Sequence, residues 1–136
     1  MLLMECLFCD ITNRKTPSFR VWENEDFLAF LDIMPINPGH ILLVPKKHVE
    51  EIFGLPDHLF NEAFQIAKKL AEPLRQTTSA KRIGIAIEGL GVPHVHIHLV
   101  PIHKGNDLNP DRAKKTTEKE LGEMQKKLIE SFKNLK

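Results

Sequence analysis

The chain has 136 residues, of which 42% are hydrophobic and 27% charged, with a formal net charge of +1. That length makes one domain able to bury roughly two thirds of its unfolded surface, and the near-neutral charge gives no electrostatic basis for nucleic acid or a membrane surface as partner. Met1-Leu2-Leu3-Met4, ended by Glu5, is too short for a signal segment, and no later apolar run spans a bilayer, so the expected location is the cytoplasm.

Cys6-Leu7-Phe8-Cys9 has the spacing of two thiolates on one zinc ion, a site that needs two further ligands from elsewhere. A thioredoxin-like redox pair wants a strand before it and a helix after, and only five residues precede this one. Two packed free thiols are the plainer alternative, because cysteine buries readily. A structural disulfide does not suit a reducing compartment.

Residues 19–22 and 27–31 read as strands joined by the polar turn Glu23-Asn24-Glu25-Asp26, with Trp22 packing at the sheet edge. Residues 32–39 form a loop punctuated by two prolines and a glycine. A third strand covers 40–44 and stops at Pro45; His40 at its start reads as a structural histidine. Lys46-Lys47-His48 then leads into a short turn or helix near 50–53. The spacing of Phe60, Ala63, Phe64, Ala67, Leu70 and Ala71 predicts an amphipathic helix over 57–72, which Pro73 bends or ends. A fourth strand covers 81–87, and Glu88-Gly89-Leu90-Gly91-Val92 connects it tightly to a fifth, over 94–100, closed by Pro101.

Residues 109–136 hold eight Lys or Arg against five acids. Leu121, Met124, Leu128, Ile129, Phe132 and Leu135 recur there at helical spacing, which makes the excess charge the solvated face of a helix. Thr117 with Glu120 fits a capping box at its start. Only one connection between strands is long enough for a helical crossover. The expected fold is therefore α+β: a five-stranded antiparallel sheet, one main helix between strands three and four, and a C-terminal helix.

The fifth strand carries His94-Val95-His96-Ile97-His98-Leu99-Val100. At the two-residue period of a strand the three imidazoles share one face, about 6.5–7 Å apart in sequence, while Val95, Ile97 and Leu99 enter the core. Three unpaired imidazoles do nothing for a core, since each needs polar partners; the strand is a site. One chemistry for it is metal ligation, and the other is nucleophilic catalysis by one ring with charge handled by its neighbours. A three-histidine centre needs all three nitrogens within about 2.0–2.1 Å of one ion. Rings spread along a straight strand meet that demand poorly, so geometry favours a division of labour.

This strand, with the Leu-Val-Pro-Lys-Lys-His run at 43–48, the Phe-Leu-Asp-Ile block at 30–33 and the Pro-Gly-His at 38–40, resembles the histidine triad (HIT) family from about Cys6 through Pro101. The resemblance implies a HIT-like domain over 1–108, with 109–136 a helical extension packed on it. It also implies a homodimer that acts as a nucleotide hydrolase or nucleotidyl transferase on a purine nucleotide. By position, His96 would attack the α-phosphorus of a nucleoside phosphoramidate or dinucleoside polyphosphate and form a nucleotidyl-histidine intermediate. A nearby backbone carbonyl would hold the proton of its other nitrogen. His98 would donate to a phosphate oxygen or to the bridging atom, and Gly91 and Val92 would offer backbone N–H groups to the phosphate. Asp32 would accept the two ribose hydroxyls; as a bare sequence feature it is equally a turn carboxylate. Leu31 and Ile33, with Phe19, would wall the base. His48 and His94 would complete a Cys₂His₂ zinc site with Cys6 and Cys9, closed and therefore structural. Many family members carry Gln and Ser or Thr shortly before the triad and Asn at the end of the preceding strand; here Leu90, Gly91 and Glu88 stand there. Two other readings stay open at this level: a non-catalytic nucleotide-binding module, and a metal-dependent hydrolase with the triad as ligands.

Overall fold

The computed structural model describes residues 6–135; the segment 1–5, which carries the signal-segment reading above, and Lys136 lie outside the described residues. In chain order it contains helix α1 (Leu7–Thr12), strands β1 (Arg20–Glu23), β2 (Phe27–Leu31) and β3 (Ile41–Pro45), helix α2 (Asp57–Thr78), strands β4 (Arg82–Ala86) and β5 (Ile97–Ile102), and helix α3 (Glu118–Phe132). The strands form one antiparallel sheet in the order β1-β2-β3-β5-β4, the α+β arrangement expected. No helix among the described residues is long and apolar enough to cross a membrane.

β2 and β3 are buried on both faces, and their side chains divide by the strand period. Phe27, Ala29, Leu31, Ile41 and Leu43 join the main core with Leu59, Ile66, Leu70 and Leu74 of α2 and Leu121, Leu128 and Phe132 of α3. Leu28, Phe30, Leu42 and Val44 face the other way, onto Cys6, Phe8 and Ile11. The sheet is thus covered by two long helices on one side and by short α1 on the other. The β1–β2 turn is closed by Asn24, whose Oδ1 accepts from the N–H of Asp26 at 3.0 Å and of Phe27 at 2.7 Å.

The 32–39 loop is stitched at both ends. Asp32 N–H donates to the His40 carbonyl at 3.0 Å, and His40 N–H to the Asn37 carbonyl at 3.1 Å. Gly39 sits at φ +92°, where a Cβ would lie 2.5 Å from Thr78 Cγ2, so glycine alone fits both the angle and the space. The result is that Asp32 and His40 are delivered side by side.

Four expectations change. α2 does not end near Pro73 but runs on to Thr78, where Ser79 at φ 57° caps it. Burying Leu74 against the core in the added turn offsets the hydrogen bond that proline cannot make. The buried stripe of α2 is Leu59, Ala63, Ile66, Ala67, Leu70 and Leu74; Phe60 is only partly covered and Phe64 remains exposed. On α3, Thr117 caps through Glu120 N–H at 3.1 Å, but the Glu120 carboxylate takes the Thr116 hydroxyl instead of reaching back, and Ile129 is exposed. The fifth strand starts at Ile97 and runs through Pro101. His94 N–H instead closes a tight turn on the Val92 carbonyl at 2.8 Å, and Val95 N–H reaches the Val49 carbonyl at 2.8 Å. The alternation survives without the ladder, since Val95, Ile97 and Leu99 all enter the main core. Pro101 is tolerated because its backbone faces the 32–39 loop, where its carbonyl accepts from Asn37 Nδ2 at 2.8 Å.

Candidate active site and metal centre

The three triad rings have three different partners. His94 is fully buried, and its Nε2–H donates to the Pro45 carbonyl at 2.7 Å. That fixes the lone pair on Nδ1, which lies 3.3 Å from Cys6 Sγ, 3.5 Å from Cys9 Sγ and 3.3 Å from His48 Nδ1. Cys9 Sγ is in turn 3.3 Å from His48 Nδ1. α1 sets this geometry: Cys6 is its N-cap, its sulfur accepting from Cys9 N–H at 3.4 Å, and Cys9 follows within the first turn.

Four such atoms, all within 4.8 Å of one another, fit a tetrahedral ion. Metal–ligand lengths of about 2.0–2.3 Å put the edges of such a tetrahedron at roughly 3.3–3.8 Å. Two thiols and two imidazoles are also the donor chemistry that zinc selects. Burial, then the neighbouring Cys6, push the Cys9 thiol up to about 11, a state that a bound dication reverses by favouring thiolate.

His96 is buried, with Nδ1 2.7 Å from the carbonyl of His94. A carbonyl only accepts, so the proton is on Nδ1 and the lone pair on Nε2. The ring lines a cleft of about 320 Å³ whose walls include Phe8, Phe19, Phe30, Leu31, Ile33 and Leu42. Phe8 meets it edge-on, ring centres 5.0 Å apart.

His98 belongs to a chain of hydrogen bonds with a defined direction. Ile36 N–H donates to His40 Nδ1 at 3.1 Å, so His40 carries its proton on Nε2 and donates it to His98 Nδ1 at 2.9 Å. His98 must then present N–H at Nε2. The chain requires both rings neutral, and burial ensures this: it pushes His40 down to about 3 and His98 to about 4, with smaller contributions from the neighbouring rings.

Asp32 accepts Met34 N–H on Oδ1 at 2.8 Å, and its Oδ2 is 3.6 Å from His40 Nε2. Burial raises its carboxyl above the usual range, partly offset by that backbone bond. Leu31, Asp32, Ile33, Val92, His96 and His98 all line the cleft; Gly91 does not. Gly91 lies on the exposed loop at φ +85°, and no described residue accepts a hydrogen bond from its N–H or from that of Val92. The triad nitrogens do not converge on one point. Among the described residues the metal-competent groupings are Cys6, Cys9, His48 and His94, and separately Asp32, His40 and His98; neither contains His96.

Sequence reading missed α1 as a wall. Leu7, Phe8 and Ile11 line the cleft, and a helix of six residues leaves too short a hydrophobic pattern to signal it. The bond from His40 to His98 was also missed.

The HIT domain family matches residues 13–105. The chain is 35% identical over 127 residues to the adenosine 5′-monophosphoramidase HNT1 of Saccharomyces cerevisiae, covering 91% of this chain and 80% of that one. It is 33% identical over 120 residues to a HIT-like protein of Borreliella burgdorferi, covering 83% and 86%. Among solved structures, a Zn-bound histidine triad family protein from Mycobacterium smegmatis superposes with a TM-score of 0.82 at 28% identity, covering 96% of this chain and 94% of that one. With the triad, the sheet and the sequence in agreement, the chain belongs to the histidine triad (HIT) family.

Proposed function

We propose that the protein is a nucleotide hydrolase or nucleotidyl transferase that attacks the α-phosphate of a nucleoside phosphoramidate or dinucleoside polyphosphate through a nucleotidyl-His96 intermediate. The observation that carries this is the 2.7 Å bond from His96 Nδ1–H to the His94 carbonyl, which leaves the Nε2 lone pair on a cleft of about 320 Å³. The yeast relative, named as an adenosine 5′-monophosphoramidase, favours the phosphoramidate class.

In this reading the purine base lies between Phe19, Leu31, Ile33 and the α1 wall, and the Asp32 carboxylate takes the ribose hydroxyls. The N–H group of Val92, on the cleft wall, approaches the phosphate, while Gly91 stays on the exposed loop beside it. His96 Nε2 bonds to phosphorus as the leaving-group bond breaks. The departing atom takes a proton from solvent while the His98 Nε2–H holds it by a hydrogen bond. Water then attacks phosphorus, the P–Nε2 bond breaks, and the surplus proton returns to solvent. A second nucleophile in place of water makes the same protein a transferase.

Cys6, Cys9, His48 and His94 would hold a structural zinc ion, and the zinc-bound mycobacterial relative supports that reading. With four protein ligands the ion supplies cross-linking rather than Lewis acidity. It ties α1 to the sheet and fixes His94, whose carbonyl orients His96. The remaining parts of the reading are a cytoplasmic homodimer with no nucleic acid or membrane partner, residues 1–108 carrying the chemistry and 109–136 packed on the same domain.

The test is turnover of an adenosine 5′-phosphoramidate by purified protein and by His96→Ala. Loss of roughly 10³-fold or more in kcat is expected for removal of a nucleophile. Turnover that survives the substitution contradicts the proposal.

A further inference from the structure

A second, smaller cleft opens beside His98. It measures about 130 Å³ and shares two residues with the nucleotide cleft, Asp32 and His98. His98 thus borders both clefts, and a leaving group held by its Nε2–H as it departs from phosphorus at His96 has this one beside it. This rests on the function proposed above.

The walls say what fits. Met34, Ile36, Val100 and Leu108 make them largely apolar. The volume is well below the roughly 300 Å³ at which ligand pockets for drug-sized molecules begin, which suits a short chain better than a second nucleotide. Among the described residues the wall carries no lysine or arginine, and two carboxylates line it: Asp32, which the proposed function assigns to the ribose, and the exposed Glu88. A polyphosphate leaving group arrives with several negative charges and meets carboxylate without a compensating cation.

We infer that this cleft selects the leaving group, that Glu88 is the specificity-determining residue, and that the preferred substrate is a nucleoside phosphoramidate of a short aliphatic amine bearing a distal ammonium. The bond that breaks is P–N, the bond that forms is P–Nε2 of His96, and the departing nitrogen takes up one proton from solvent. The distal ammonium takes no part in the bond changes; it stays protonated, facing the Glu88 carboxylate while its methylenes lie along the apolar wall.

The test compares three adenosine 5′-phosphoramidates of equal tail length: from propane-1,3-diamine, from n-butylamine and from 4-aminobutanoate. An exposed or half-exposed ion pair supports a factor of about five at low salt. The ammonium tail is therefore expected to exceed the neutral tail in kcat/KM by about fivefold, and the carboxylate tail to fall below it. In Glu88→Gln the first ratio collapses toward one, and in Glu88→Lys the order reverses. Because each ratio is taken within one protein preparation, partial loss of folded protein cancels. Turnover of all three amides at equal rates by the unsubstituted protein overturns this inference and leaves the His96 reading standing. Absence of turnover of every amide, with no label on His96, overturns both.

Discussion

His40 reaches His98 because Ile41 pairs with Leu99 and Leu42 with His98, which makes His40 a diagonal neighbour on the same face of the sheet. That contact is a property of strand register, so the two residues gave no joint signal in sequence, whereas the triad spacing was legible because a period of two needs no partner. The same register explains a pH dependence. The folded state keeps His40 and His98 neutral while the unfolded chain takes up protons from about 6.5 downward. The native state binds fewer protons in that window, so stability declines as pH falls from 6.5 toward 4 and then 3. Melting temperatures across pH 4–8 are expected to fall on the acid side, and His40→Ala is expected to flatten that slope. The same variant leaves His98 Nδ1 without its donor, a loss on the order of 1–3 kcal/mol for a buried group. Its kcat is expected to drop about tenfold with KM little changed; a KM effect alone contradicts the positioning role.

At the scale of elements, α1 joins the two halves of the site. Its cysteines face His48 and His94, while Phe8 between them packs on His96 and lines the cleft. Six residues are too few for a hydrophobic period to stand out, and the helix exists because its cap, its sulfur ligands and Phe8 are all anchored elsewhere. One zinc per chain is expected by elemental analysis. Stripping it, or substituting Cys9→Ser, is expected to lower the melting temperature and raise KM for the nucleotide as the α1 wall loosens. A metal-free preparation with unchanged melting and unchanged KM contradicts the assignment. α2 offers the opposite lesson: Pro73 signalled an end in sequence, and the tertiary burial of Leu70 and Leu74 overrode it. Pro73→Ala restores a backbone donor inside the helix and is expected to stabilise the protein by about 1 kcal/mol in denaturant titration. Leu74→Ala, in contrast, is expected to cost about 2–5 kcal/mol.

In the whole molecule the order β1-β2-β3-β5-β4 leaves β4 paired on one side only among the described residues, with Ile85 exposed. Edges of this kind are usually covered, and a second copy pairing antiparallel with the first covers both at once. Light scattering at micromolar protein is expected to give twice the 15.6 kDa chain mass; a monomer contradicts the homodimer. The strand and helix sequence was legible because apolar residues alternate or recur around a buried sheet. That Asp32 and His98 line both clefts was not, because it depends on where loops 32–39 and 103–117 come to rest. Everything catalytic in the account depends on His96 Nε2 forming a bond to phosphorus. Mixing the protein with an adenosine 5′-phosphoramidate, quenching in denaturant within the first turnover and locating added mass by peptide sequencing tests that bond directly. Adenylate on His96 is the expected result; product formed with no labelled histidine at any time, or label on another residue, contradicts the account.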